Sequence, residues 1–373
     1  MNKRPKLLFV VTEDWYFVSH RLPLAVAARE AGFEVAVVTR AGAHVQVISD
    51  AGLRLIPFGL SRRVGNPMKE IAVLVALYRR ERPAIVHHVA LKPVLYGALA
   101  ARLAGVPDVI NAIAGLGWLF TSSGLSTRIV RSVVCRLLAW LLSAPRSRTL
   151  VQNPDDYDLL VKRGVPETHL RLIRGAGVDT GVFTPALKLP PEPVVVLFLA
   201  RMLWDKGVGE FVEAAHLLTQ AGVSARFVLV GDPDPRNPAS VPEATLHAWH
   251  REGNGVEWWG RRDNMPAVWN TAHIACLPSY REGLPKALLE AAACGLPIVT
   301  TDVPGCREIV RDGDNGFLVP ARDAQALARA LRSLIGDAAL RAEMGRRSRE
   351  IVLAEFSQEQ VIAETLAVYQ ELT

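Results

Sequence analysis

PVVVLFLARMLWDKG (Pro193–Gly207) joins an apolar run, Pro193–Ala200, to a charged loop, and the segment after it, Gly209–Ala221, has the spacing of a helix. A short apolar run that gives way to a helical period opens a β-α-β unit whose strand is buried on both faces. The chain begins the same way: KLLFVV (6–11) precedes a helix from near Ser19 to Gly32, and FEVAVVT (33–39) follows. One opening used twice predicts an α/β protein of two Rossmann-like domains, each a doubly wound parallel sheet.

The rest of the chain continues both patterns. RLIPF (54–58), AIVHHV (84–89) and VINAI (109–113) alternate with helices over 67–80 and 94–104. In the first of these helices Ile71, Leu74, Val75 and Tyr78 keep the 3.6-residue period. RFVLVG (226–231), VEWWG (256–260), IACLP (274–278), PIVTT (297–301) and GFLVP (316–320) are the strands of the second half. Between the halves, VDTGVFTPALKLPPEP (178–193) is rich in proline, has no helical period and reads as the linker. The expected domains are 1–180 and 181–357, with a last helix over 358–373 placed to pack back on the first.

Composition excludes several classes. A length of 373 residues exceeds one ordinary core, and a chain half apolar leaves little room for disorder. Cys135, Cys276, Cys294 and Cys306 form no C-x-x-C pair, so reduced thiols in a cytoplasmic protein are expected rather than zinc or disulfides. The basic start is followed by only five apolar residues, Leu7–Val11, which reads as a strand rather than an export signal. No run approaches the roughly 18 apolar residues of a membrane-spanning helix. Residues 1–175 carry 24 Lys+Arg against 12 Asp+Glu, whereas the remainder is net acidic. With no nucleic-acid motif present, a basic half points to an anionic membrane surface or to a merely solvated arginine-rich one.

In open parallel sheets ligands bind beyond the carboxyl ends of the strands. Two segments there are candidates. In the loop after PVVVLFLA, Arg201 and Lys206 can neutralise a diphosphate. After IACLP comes REGLPKALLE (281–290), in which Pro285 suits the first helical turn and Gly283 admits close backbone approach. A helix start there makes a phosphate seat, and Glu282 and Glu290 on either side can accept hydrogen bonds from vicinal hydroxyls. Two solvated helix carboxylates would look the same by spacing alone. Two Asp-x-Asp triplets of the second half, Asp232-Pro233-Asp234 and Asp312-Gly313-Asp314, lie in turn-like settings, so no metal site is expected.

ARMLWDKG (200–207), SYREGLPKALLEAAACGLP (279–297), TTDVPGCREIVRDGDNGFLVP (300–320), GAGVD (175–179) and GRRDNMPAVWNTA (260–272) together resemble family 4 of the retaining GT-B glycosyltransferases. The resemblance covers nearly all of the second half. It implies two Rossmann-like domains around a deep cleft, retention of anomeric configuration, and no metal or other cofactor. By the same resemblance Arg201 and Lys206 bind the nucleotide diphosphate, Glu282 contacts the transferred sugar and Glu290 holds ribose hydroxyls. The Gly283-Leu284-Pro285 backbone meets sugar and phosphate, Arg261 and Arg262 lie near the base, and the departing phosphate assists front-face attack.

The first half matches more loosely. Thr12–Phe17 replaces the family's Gly-Gly turn, and AIAGLGW (112–118) stands where a catalytic-loop histidine is usual. EDWYFVSHRLPLA, the Lys-Pro after VHHVAL and the Gly-Leu-Gly loop look like a bacterial subgroup that extends lipid-linked sugars. In that subgroup Gly115 and Gly117 would line the sugar site, while Glu13, His20, Arg21 and Lys92 would face a polyprenyl-diphosphate acceptor. In LSTRIVRSVVCRLLAWLLSA (125–144), Arg128, Arg131 and Arg136 share an arc with Val133, Leu137 and Trp140 roughly opposite. That apolar face belongs either to the core or to a membrane interface. The expectation is a cytoplasmic transferase, peripheral on the inner membrane leaflet, that moves a sugar from a UDP-linked donor to a lipid-linked saccharide. Two alternatives are a sugar-nucleotide 2-epimerase of the same fold and a non-catalytic sugar-nucleotide-binding subunit. The absence of G-x-G-x-x-G after the first strand argues against a dehydrogenase.

Overall fold

The structure, a computed structural model, describes residues 4–59, 65–116, 125–188, 190–251 and 255–372, with backbone alone over 125–132. Two compact units emerge: Met1–Ala176 with Gln360–Thr373, and Gly177–Glu359. The segment 178–193 belongs to the second unit, and the last helix belongs mostly to the first.

The first unit holds a seven-stranded sheet in the order β3-β2-β1-β4-β5-β6-β7. Its strands are β1 (Lys6–Glu13), β2 (Glu34–Arg40), β3 (Arg54–Pro57), β4 (Ile85–Val89), β5 (Asp108–Ile113), β6 (Ser147–Val151) and β7 (Leu170–Leu172). Every pairing is parallel, and Leu7–Val10 of β1 lies between Val35–Val38 of β2 and Ile85–His88 of β4. Helices α1 (Asp14–His20), α2 (Leu22–Glu30) and α3 (Val45–Asp50) serve β1 to β3, and α4 (Pro67–Glu81) and α5 (Leu91–Ala104) flank β4. Helices α6 (Leu125–Leu142) and α7 (Pro154–Lys162) precede β6 and β7.

Apolar side chains cover both sheet faces. Leu7, Phe9 and Val11 pack with Phe17, Leu24 and the buried Val361, Val368 and Tyr369 of the last helix. Leu8 and Val10 face the other way, toward Leu74, Leu77 and Tyr78. Alternate residues of one strand thus fill two layers, which explains why KLLFVV reads as a continuous apolar run.

The second unit holds six parallel strands in the order β10-β9-β8-β11-β12-β13. These are β8 (Val194–Leu199), β9 (Ala225–Val230), β10 (Val256–Trp258), β11 (Ile274–Leu277), β12 (Ile298–Thr301) and β13 (Gly316–Val319). Its helices are α8 (Val208–Gln220), α9 (Glu243–Arg251), α10 (Met265–Trp269), α11 (Lys286–Ala293), α12 (Cys306–Ile309), α13 (Ala324–Gly336) and α14 (Ala338–Glu355), before α15 (Gln358–Gln370) returns to the first unit. In each sheet the order reverses at one place, between β1 and β4 and between β8 and β11. The crevice at such a switch point is where ligands bind in this architecture.

Four local expectations change. The first helix begins at Asp14, directly after β1, and breaks at Arg21 before α2 starts at Leu22, with Pro23 in its first turn. Asp14 stabilises this early start because its carboxylate accepts the N–H groups of Trp15, Gly42 and His44 at 2.8, 2.9 and 2.9 Å. Helix α5 starts at Leu91 rather than Val94. Pro285 is the N-cap of α11 rather than part of its first turn. Strands β6 and β7 escape periodicity because SRTLV and LRL are short and interrupted by charge. The four cysteines are free and buried.

Candidate active site

Residues 200–207 follow β8 and residues 278–285 follow β11, so the two candidate loops flank the second sheet's switch point. The first ends in a single 3₁₀ turn, Trp204–Lys206, closed by Gly207 at φ +77°. A side chain at Gly207 would run into the carbonyl of Pro278, so the loops approach as closely as backbone allows. Hydrogen bonds tie them: the Tyr280 N–H donates to the Asp205 carbonyl at 2.9 Å, and the Ser279 hydroxyl donates to the same oxygen at 3.2 Å. The Thr301 hydroxyl of β12 donates to the Ser279 carbonyl. At Gly305, φ +80°, a Cβ would strike the Gly283 carbonyl, so a third loop supports the second from behind.

This framework brings Lys206 and Glu282 together, Nζ to Oε1 at 2.6 Å, with both side chains mostly shielded. Glu282 also adds its charge to burial in pushing the neighbouring Cys306 thiol up to about 12. Arg201, the more exposed cation, donates to Asp234 at 2.8 Å. On α11 the Glu290 carboxylate is 6% exposed, accepts from the Trp269 indole at 3.3 Å and lies 3.6 Å from Lys286 Nζ. Burial raises its pKa, against the lowering pull of Lys286. Gly283, Leu284 and Pro285 form the turn that leads into the N-terminus of α11, where the helix dipole favours a phosphate. Arg261 and Arg262 are exposed after β10; the Arg261 N–H donates to Asp232 at 2.9 Å and its side chain meets Asp263 at 3.3 Å.

Three residues that the sequence did not single out complete the frame. The Tyr280 hydroxyl donates to Glu210 of α8 at 2.6 Å, and burial with that carboxylate pushes it up to about 12. The Arg322 guanidinium lies 4.6 Å from the Tyr280 ring centre. Tyr280 stands inside the quoted motif and could have been noticed, but Glu210 and Arg322 reach it from positions 70 and 42 residues away along the chain, separations that no local pattern encodes. Asp234 appeared only as a turn residue.

In the first unit the candidates occupy different surroundings. Glu13 ends β1, buried, 3.8 Å from Arg40. His20 stacks on Tyr16 with ring centres 4.2 Å apart. Arg21 is buried and donates to the Gly175 carbonyl at 3.3 Å. Lys92 pairs with Glu70 at 2.7 Å, joining α5 to α4. Gly115 has φ +118°, and Gly117 lies outside the described residues.

Among the described residues no three His, Cys, Asp or Glu side chains are grouped to hold a metal ion, and no helix is long and apolar enough to cross a membrane.

Comparison with known proteins matches residues 6–151 to the "Glycosyl transferase 4-like" family model and residues 193–337 to "Glycosyl transferases group 1". The N,N'-diacetylbacillosaminyl-diphospho-undecaprenol alpha-1,3-N-acetylgalactosaminyltransferase of Campylobacter jejuni is 28% identical over 89% of this chain and 90% of its own. The UDP-Gal:alpha-D-GlcNAc-diphosphoundecaprenol alpha-1,3-galactosyltransferase of Escherichia coli is 26% identical over 73% of this chain and 72% of its own. Among solved structures, Anabaena Alr3699/HepE in complex with UDP-glucose superposes with a TM-score of 0.78 at 19% identity, covering 98% of this chain and 100% of that one. The two matched segments, one carrying β1 to β6 of the first sheet and the other all six strands of the second, place this chain in the family 4-like, group 1 glycosyltransferases of GT-B fold.

Proposed function

We propose that this glycosyltransferase carries a sugar from a UDP-linked donor to a saccharide held on a polyprenyl diphosphate, with retention, at the cytoplasmic face of the membrane. The observation that carries the reading is the Lys206–Glu282 pair, a cation and a carboxylate from two loops that meet at the switch point. In the proposed complex Lys206 exchanges its bond to Glu282 for the donor's phosphate, and Arg201 turns from Asp234 to the same group. Glu282 is then released to accept hydrogen bonds from sugar hydroxyls. Two fixed cations beside a departing diphosphate stabilise the charge that develops as the glycosidic bond breaks, without the solvent reorganisation that water would need. The departing phosphate oxygen accepts the proton of the attacking hydroxyl on the same face, which retains configuration.

Glu290 takes the ribose in this reading. It is already partly desolvated, so an ordered diol can hydrogen-bond it without a further large loss of hydration. The relatives support the acceptor class, since both are named for sugars on a diphospho-undecaprenol and one for UDP-galactose.

The test is nucleotide release from a panel of UDP- and GDP-sugars, with and without short polyprenyl-diphosphate saccharides, followed by NMR of the new linkage. An acceptor-dependent α-linked product from an α-linked donor is expected. Conversion of donor alone would favour the 2-epimerase, and binding without turnover on any lipid acceptor would favour a non-catalytic subunit.

A further inference from the structure

The apolar face read along the sixth helix does not belong to the core. The buried face of α6 is Cys135, Leu138, Leu141 and Leu142, whereas Val133, Leu137 and Trp140 are 59%, 39% and 49% exposed. Spacings of four and three put these three residues on one stripe. Leu103, near the end of α5, adds a fourth apolar side chain at 55% exposure. Its neighbour Arg102 lies over the Trp140 ring at 4.4 Å, so the ends of α5 and α6 form one patch. At the same place Arg79 of α4 donates to the Leu103 carbonyl at 3.1 Å.

Charge identifies what covers this patch. Neither α5 nor α6 contains an Asp or a Glu. Arg102 and Arg136 are exposed on these two helices, and Arg79 and Arg80 are exposed at the end of the adjoining α4. A protein partner that buried the apolar residues would also have to supply carboxylates for these cations. A bilayer of anionic lipid offers both environments in one plane: an acyl boundary for Leu137, Val133 and the indole, and phosphates just outside it for arginines. Tryptophan with an arginine stacked on it is suited to that boundary, because the ring sits at headgroup depth while the guanidinium reaches outward.

We propose that the α5–α6 face of the first unit, centred on Leu137, Trp140 and Arg102, docks on an anionic membrane. This extends the membrane-face part of the function proposed above by naming the surface that makes the contact. The device matches the substrate's problem: a lipid-diphosphate acceptor diffuses in two dimensions, and an enzyme resting on that plane meets it without leaving the membrane.

The experiment measures co-sedimentation of the full-length protein with vesicles of phosphatidylglycerol and phosphatidylcholine, against pure phosphatidylcholine, over a range of salt. Binding to the anionic vesicles that weakens as salt rises is expected. The Leu137→Glu/Trp140→Glu variant should bind about tenfold more weakly or worse. Arg102→Gln/Arg136→Gln, which leaves the apolar stripe in place, should bind more weakly and with a flatter salt dependence. Both variants should melt with the parent and turn over a short-chain, water-soluble acceptor at its rate, so a failure here and a failure of the transferase reading are told apart. Wild-type binding by the apolar variant, or no binding by the parent, would overturn the proposal. So would a parent that dimerises through this face, becomes monomeric in the apolar variant and ignores vesicles.

Discussion

The carboxyl edges of the two sheets use charge in opposite ways. Beyond β8 and β11, oppositely charged side chains from different loops meet each other, Lys206 with Glu282 and Arg201 with Asp234. Beyond β1 and β4 the charges are tied into the frame: Asp14 fixes the 42–44 loop, Arg21 holds the Gly175 carbonyl, and the ion pairs there join strand ends, Glu13 to Arg40, or helices, Lys92 of α5 to Glu70 of α4. Ion pairs between loops can be exchanged for a ligand's charges, because both partners remain satisfied. Charges that hold the frame cannot be withdrawn without loosening it. On the proposed function the second edge takes the donor's anion, while the charges of the first hold its shape.

Lys206→Ala and Glu282→Gln break this contrast most directly. Each should lower transfer by about 10²- to 10³-fold, the range for losing one preorganised charge at a reacting group, with little change in melting temperature. Lys92→Ala, a cation of similar burial at the other edge, should instead cost about 1 kcal/mol of stability and alter transfer far less. Equal losses of activity from the two lysines, measured as initial rates, would erase the distinction.

Acidification should separate the units next. In the first, His88 accepts from the Tyr78 hydroxyl at 2.9 Å and donates to Asn111 at 2.9 Å, and burial lowers its pKa to about 4. Burial lowers His87 as well, beside the Tyr369 hydroxyl at 2.6 Å. A histidine depressed in the folded state binds protons less readily than in the unfolded chain. Its stability contribution is therefore full above pH 6.5 and is lost as pH falls toward 4, about 3 kcal/mol for His88. In the second unit Glu290 has the opposite sign, since a raised carboxyl favours the folded state more as pH falls through its folded value. Thermal unfolding followed from pH 7.5 to 5 should show the transition of the first unit falling further than that of the second.

How much of this was legible depends on where the information sits. The strands KLLFVV and PVVVLFLA are buried on both faces, so their apolar runs reported the two sheets without ambiguity. The REGLPKALLE loop was legible because glycine, proline and two glutamates each have few uses in one short stretch. Glu210, Asp234 and Trp269 were not, because each owes its role to a residue brought near only by the fold. The stripe on α6 was seen but left unassigned: a helical wheel gives which residues share a face, and only packing decides which face is covered.

Smaller effects sharpen the picture of the second edge. Gly305→Ala should cost about 2 kcal/mol and slow transfer, because the new Cβ strikes the Gly283 carbonyl in a backbone region unfavourable to alanine. Trp269→Phe removes one hydrogen bond to the buried Glu290, a loss of about 1 kcal/mol, and should raise the donor KM several-fold with kcat nearly unchanged.

The most direct measurement is calorimetric titration of UDP into the parent protein, Lys206→Ala and Lys92→Ala. Saturable binding by the parent and Lys92→Ala, with Lys206→Ala weaker by about a hundredfold, is the predicted result. Unchanged UDP affinity in Lys206→Ala would contradict the assignment of the second-unit loops as the diphosphate site.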